Sequence, residues 1–259
     1  MPLTGWLAAR LRAHPAARPF VLGINGPQGA GKSTLAASFE HWGVARGLGW
    51  ATLSIDDLYL THDEQSALAA AHPGDPLLAV RGGPGTHDIA LGSAVLAALG
   101  GAAGHVALPR YDKGAFDGRG DRRPKEQWPE VALPVDVVVL EGWMLGFSGV
   151  GAAAAGPSLA RADAALAAYA AWTGRLDAMI QLRVGAVDTI RAWRIEAEAR
   201  RRAAGEGGMT PEAAAAYIER FLPFYEVYPD HLARHPPVPA AHRVVWIGPD
   251  RRLTPRAPR

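Results

Sequence analysis

The chain has 259 residues, 27 lysines and arginines against 25 aspartates and glutamates, and no cysteine. Disulfides and cysteine-held metals are thereby excluded, which fits a reducing, cytoplasmic setting. A net charge of +2 with no long basic run argues against a nucleic-acid partner, and no apolar run reaches the length of a membrane span.

The first segment, MPLTGWLAARLRAHPAARPF, has arginines but no signal-peptide core and predicts a short amphipathic helix before the first strand. PFVLGIN (19–25) reads as a buried strand, and GKSTLAASFEHWGVARG (31–47) as a helix stopped by glycine. GWATLSIDD (49–57) predicts a strand ending in two carboxylates, and DIALGSAVLAALGG (88–101) a helix. HVALPRYD (105–112) reads as one short extended stretch, and YDKGAFDGRGDRRPKEQWPE (111–130) as a long loop without regular structure. PVDVVVLEG (134–142) is a continuous apolar run closed by a glutamate, and LDAMIQLRV (176–184) is a further strand. A charged helix over about 186–204, a glycine break at GEGGM, a helix from TPEAAAAYIERF and a last strand at HRVVWIG complete the chain. Strands alternating with helices predict an α/β fold: a three-layer α/β/α domain, 1–259, with a mostly parallel sheet and a helical lid over 186–210.

GPQGAGKS, Gly26 to Ser33, matches G-x-x-x-x-G-K-[ST] between a strand and a helix. Gly26, Gln28, Gly29, Ala30 and Gly31 would turn backbone N–H groups onto phosphate oxygens at a helix N-terminus. Lys32 would reach the β- and γ-phosphates, and Ser33, followed by Thr34, would ligate Mg²⁺. These spacings predict a P-loop NTPase that takes ATP and Mg²⁺. The P-loop alone does not separate kinase, GTPase, motor and switch. A GTPase would carry an N-K-x-D guanine reader, and none of the three lysines, Lys32, Lys113 and Lys125, stands in one.

The other strand ends narrow the choice. In an open parallel sheet the ligand lies at the carboxyl edge. Asp56 could take a proton from an attacking hydroxyl there, or meet the metal, while its neighbour Asp57 caps the following helix. Glu141 sits where a Mg²⁺-side acid is expected. Arg81, Lys113, Arg119, Arg122 and Arg123 suit an anionic acceptor or the transferring phosphoryl group, although a solvated loop charge is the plainer reading for at least half of them. His87 and Asp88 could recognise hydroxyls, and Tyr59 and Tyr111 flank the same loops. Arg191 and Arg194, spaced i and i+3 with Glu198 beyond, would close a lid over the phosphates.

GINGPQGAGKST, SIDDLYLT, RGGPGTHD, LPRYDKGAFDGRGDR, VVVLEGWMLGF, RIEAEARRRAAGEGGMT and FLPFYEVY come in the order seen in the D-glycerate 3-kinase family, related to uridine kinase, phosphoribulokinase and pantothenate kinase. The chain resembles that family over roughly residues 20–247. The resemblance implies transfer of phosphoryl from MgATP to the 3-hydroxyl of D-glycerate. It implies Lys32, Ser33 and Thr34 as the phosphate and Mg²⁺ group, Asp56 as general base, Glu141 on the Mg²⁺ side and Arg194 in the lid. The chain departs from the family pattern at Leu58, at Ala192 and in IEAE, Ile195 to Glu198. A kinase for another acceptor (a nucleoside, a sugar phosphate, a pantothenate-like molecule) and a nucleotide-dependent switch or assembly ATPase remain open. The sequence does not distinguish monomer from homodimer.

Overall fold

The computed structural model describes residues 2–15, 17–205 and 209–254. Its strands are β1 (Phe20–Asn25), β2 (Trp50–Ser54), β3 (Gly104–Ala107), β4 (Tyr111–Asp112), β5 (Asp121–Arg122), β6 (Glu130–Leu133), β7 (Val137–Gly142), β8 (Ala178–Arg183), β9 (His242–Ile247) and β10 (Leu253–Thr254). Its α-helices are α1 (Leu3–Ala13), α2 (Lys32–Val44), α3 (His62–Ala71), α4 (Ile89–Ala98), α5 (Ala152–Ala155), α6 (Ala160–Ala165), α7 (Ala170–Thr173), α8 (Val187–Ala203), α9 (Pro211–Glu219) and α10 (Leu222–Arg234).

Six strands make one sheet in the order β10-β9-β8-β1-β7-β2. All neighbouring pairs are parallel except β10 with β9 at the edge. The alternation of β7 explains the three layers. Val137 and Val139 pack with Leu7, Phe39 and Ile180 on one face, whereas Val138 and Leu140 pack with Leu53, Leu96 and Phe224 on the other. A strand covered on both faces reads as an unbroken apolar run. Helix α2 forms because Leu35, Ala36, Phe39 and Gly43 recur at helical spacing toward the sheet. Burial of Phe39, 1% exposed, contributes about 2 kcal/mol. The α2 helix stops where Gly47 adopts φ +76° and Leu48 N donates to Gly43 O.

Parallel strands bring their carboxyl ends to one edge. Glu141 is level with Ile24 of β1 and with Ser54 of β2. The P-loop, the turn after β2 and the end of β7 therefore converge.

Three expectations need correction. His105–Asp112 is not one stretch: β3 pairs with β6, and β4 pairs with β5. The break falls at Pro109, which has no N–H for a ladder. The 111–130 segment is correspondingly ordered, with β4, β5 and a 3₁₀ turn at Lys125–Gln127. Asp57 caps no helix; it accepts from Tyr111 N at 3.1 Å and from Arg110 at 3.4 Å, pinning β4. The cap on α3 is Thr61, in a reciprocal capping box with Glu64. The glycine break expected at GEGGM falls partly on residues 206–208, which lie outside the described residues. Among the described residues no helix is long and apolar enough to cross a membrane.

Candidate active site

The P-loop starts where β1 ends. The buried Asn25 donates from Nδ2 to Trp143 O at 3.0 Å and to Leu145 O at 2.9 Å, tying it to the segment after β7. Gly31, the residue before α2, sits at φ +85°, where a side chain would be strained. Gly29, at φ +81°, touches α8 so closely that a Cβ would lie 2.6 Å from Trp193 Cβ. Trp193 Nε1 donates to Pro249 O at 2.9 Å, and Arg251 Nε donates to Gly29 O at 3.0 Å. Gln28 N donates to the hydroxyl of the buried Tyr225 at 3.3 Å. Lys32 Nζ donates to Pro27 O at 3.2 Å. Burial lowers the Lys32 pKa, against the opposing charges of Glu141 and Asp56. Ser33 Oγ donates to Glu141 Oε1 at 2.9 Å, and that glutamate is 6% exposed. Thr34 lies exposed in the same turn of α2.

A 3₁₀ turn, Ile55–Leu58, follows β2, with Ser54 Oγ accepting from Asp56 N. It aims Asp56 at the P-loop side. Asp56 Oδ2 accepts from Lys113 Nζ at 2.6 Å, and Oδ1 accepts from Tyr59 OH at 2.9 Å. Burial pushes this carboxyl up, but Lys113, then Lys32 and Tyr59, outweigh burial and hold it below the ordinary carboxylate range. Asp56 in turn raises the Lys113 pKa. Burial first, then the Asp56 charge, keeps the Tyr59 hydroxyl protonated.

Gln28, Lys32, Asp56, Tyr59, Arg81, Lys113, Arg194 and Tyr217 share one cavity of about 540 Å³. A second cavity of about 280 Å³ shares Gln28, Lys32, Asp56 and Lys113 with it and reaches Ser33 and Glu141. Arg194 pairs with Glu198 at 2.7 Å and lies 4.7 Å over the Tyr217 ring.

Of the residues expected at the acceptor and the lid, His87, Asp88, Tyr111, Arg122 and Arg191 stand outside both cavities, as do the exposed Arg119 and Arg123 and, in the P-loop, Gly26, Ala30, Gly31 and Thr34. His87 Nδ1 is 2.7 Å from Tyr169 OH, with its ring tilted against Tyr59. Burial lowers its pKa to about 3, so it is neutral. Asp88 caps α4 through Leu91 N at 2.8 Å and pairs with Arg122 at 3.1 Å. Arg122 also donates to Tyr59 O at 2.8 Å, and Tyr111 meets the Tyr59 ring edge-on. These four residues brace Tyr59 from behind. Arg191 pairs with Glu219 at 2.7 Å and with Asp188. Conversely, Tyr217 and Met209 line the larger cavity with no local sequence mark to announce them.

No family model matches the chain. The chain is 36% identical over 245 residues to a chloroplastic D-glycerate 3-kinase of Arabidopsis thaliana; the match covers 92% of this chain but 54% of that protein, so the chain spans about half of that relative's length. It is 34% identical to an uncharacterised kinase of Schizosaccharomyces pombe, over 83% of this chain and 82% of that one. The solved structure of a D-glycerate 3-kinase from Cryptococcus neoformans var. grubii superposes with a TM-score of 0.86 at 29% identity, covering 97% and 96% of the two chains. The chain belongs to the D-glycerate 3-kinase family of P-loop kinases. Among its departures from the family pattern, Leu58, Ala192, Ile195 and Glu196 line neither cavity, while Glu198, at the end of IEAE, lines the larger one. Leu58 is fully buried in the core and Ala192 is exposed. Glu196 pairs with Arg251 at 2.5 Å.

Proposed function

We propose that the chain is an ATP-dependent small-molecule kinase that moves the γ-phosphoryl group of MgATP to the 3-hydroxyl of D-glycerate, giving 3-phosphoglycerate. The observation that carries this reading is Asp56 facing the P-loop lysine across a cavity ringed by Arg81, Lys113 and Arg194. A carboxylate suited to a hydroxyl stands there among cations suited to an anion.

The P-loop N–H groups and the α2 N-terminus would hold the phosphates, with Lys32 on the outer ones. Ser33 and Glu141 would hold Mg²⁺. Both are oxygen donors already in contact. Among the described residues no group of three or more acids, histidines or cysteines could cage an ion unaided, which suits Mg²⁺, a metal that keeps waters and phosphate oxygens as its other ligands. When bound, Mg²⁺ neutralises charge on the β- and γ-oxygens.

Asp56 stays ionised at neutral pH and is a weak base. Its work is to accept the hydroxyl's hydrogen bond, orient the oxygen toward phosphorus and take the proton late, as the new bond forms. Arg194, steadied by Glu198, would meet charge on the moving phosphoryl group. The α8 helix, seated against Gly29, would keep water from competing. A cytoplasmic location accords with the absence of cysteine.

The test is ADP release from MgATP with D-glycerate, uridine, ribulose 5-phosphate, pantothenate or no acceptor. Stimulation by D-glycerate, with 3-phosphoglycerate formed, is expected. Stimulation by a different acceptor overturns the substrate, and hydrolysis indifferent to every acceptor overturns the kinase.

A further inference from the structure

Four cationic side chains line the larger cavity: Lys32, Arg81, Lys113 and Arg194. Three are committed elsewhere. Lys32 belongs to the P-loop. Arg81 donates from Nη1 to Gly118 O at 2.7 Å and to Arg119 O, and from Nη2 to Lys113 O at 3.2 Å. Its guanidinium therefore clamps the loop that carries Lys113. Arg194 is paired with Glu198, which is 2% exposed. Lys113 is different: among the described residues its one carboxylate partner is Asp56, at 2.6 Å. Each Asp56 oxygen already accepts one hydrogen bond, from Lys113 or from Tyr59.

We propose that the Lys113–Asp56 pair is a latch that the acceptor's own carboxylate opens, so that Asp56 is freed for a hydroxyl only when a hydroxy acid is bound. This rests on the kinase reading above. The exchange is like for like: the Lys113 ammonium leaves one carboxylate for another, and Asp56 Oδ2 gains the hydroxyl in its place. The side chain can make that move. It is 45% exposed, and an ammonium on a four-carbon stem turns readily. The backbone beneath it is held by Arg81, and the loop beyond runs through Phe116 and Asp117 at φ +50° and +55°.

The transfer then balances. The hydroxyl oxygen bonds to the γ-phosphorus, and the bond from that phosphorus to the β–γ bridging oxygen breaks. Its electron pair leaves on ADP, and the hydroxyl proton passes to Asp56 Oδ2. Without a carboxylate, the Lys113 ammonium stays on Oδ2, and a water in the cavity must compete with it for that oxygen. The latch thus links acceptor choice to the suppression of hydrolysis.

The experiment compares the unsubstituted chain with Lys113→Met and Lys113→Arg. ADP release from MgATP is read with no acceptor, with D-glycerate, and with glycerol, which keeps the hydroxyls and lacks the carboxylate. In Lys113→Met, hydrolysis without acceptor should rise about 5-fold, and the kcat/KM preference for D-glycerate over glycerol should fall about 100-fold. The KM for ATP should hold, and Lys113→Arg should restore most of the preference. Should Lys113→Met not fold, Lys113→Gln is read in the same way. A variant that keeps both low hydrolysis and the preference overturns the latch and leaves the kinase standing. Failure of the unsubstituted chain to use either acceptor overturns D-glycerate as the substrate and the latch together.

Discussion

The proposed phosphate half of the site and the proposed acceptor half are built by different means. The phosphate half is one stretch, Gly26 to Thr34, running from the end of β1 into the first turn of α2, and it would work through backbone N–H groups with Lys32 and Ser33. The acceptor half gathers Asp56 and Tyr59 from the turn after β2, Arg81 from between α3 and α4, and Lys113 from the β4–β5 hairpin. It takes Arg194 and Tyr217 from α8 and α9. Local backbone geometry makes one half, and side-chain contacts between distant segments make the other. Substitutions should therefore separate nucleotide binding from transfer.

The sharpest separation comes from Asp56→Asn. It keeps size and can still meet Tyr59, but it loses the proton acceptor. The kcat should fall about 1,000-fold while ATP, read by thermal shift, binds as before. Turnover close to that of the unsubstituted chain would remove Asp56 as the base. Gly29→Ala attacks the other half. Its Cβ would lie 2.6 Å from Trp193 Cβ at a backbone φ of +81°, so α8 must shift or the P-loop must strain. The KM for ATP should rise about 10-fold and stability should fall by about 2 kcal/mol. Unaltered ATP affinity would mean that α8 does not need that contact.

His87 allows a test of the shell behind Tyr59. It is neutral when folded, with a pKa near 3, and takes a proton on unfolding below about 6.5. Its contribution is therefore present above pH 6.5 and lost as pH falls toward 3. Between pH 7 and pH 5 it should remove about 2 kcal/mol of stability. Urea melts of His87→Gln should show that much less acid sensitivity; an identical pH profile would assign the acid lability elsewhere. The smallest effect belongs to Arg251→Ala, which deletes a half-exposed ion pair with Glu196 and a bond to Gly29 O. The KM for ATP should rise about 2-fold, with the KM for glycerate unmoved. A larger rise in the glycerate value would show that the two halves communicate.

The same division decides what the sequence discloses. Lys32 and Ser33 are legible because their spacing to the glycines is local. Asp56 and Glu141 are legible because parallel strands converge at one edge, as the alignment of Glu141 with Ser54 bears out. Arg81 is visible as a cation, but its clamp is not, because its carbonyl partners lie 32 to 38 positions away. Asp88 and Arg122 look like ligand groups until the fold brings them together as a cap and a brace. The α3 helix enters the expectations only as an unbounded helix after Asp57, although Thr61 and Glu64 carry its start in plain view, because alanine-rich HDEQSALAAA has little apolar periodicity to mark a buried face.

The seat of Trp193 against Gly29 has a practical consequence. Its indole is 3% exposed, bonded to Pro249 O, and lies with the Arg251 guanidinium 5.2 Å from its ring centre. Displacement of α8 from the P-loop would strip the cation and admit solvent to the ring at once. The chain thus carries an intrinsic optical reporter of any movement of α8 against the P-loop, and subtracting the emission of Trp193→Phe would isolate it from the other tryptophans.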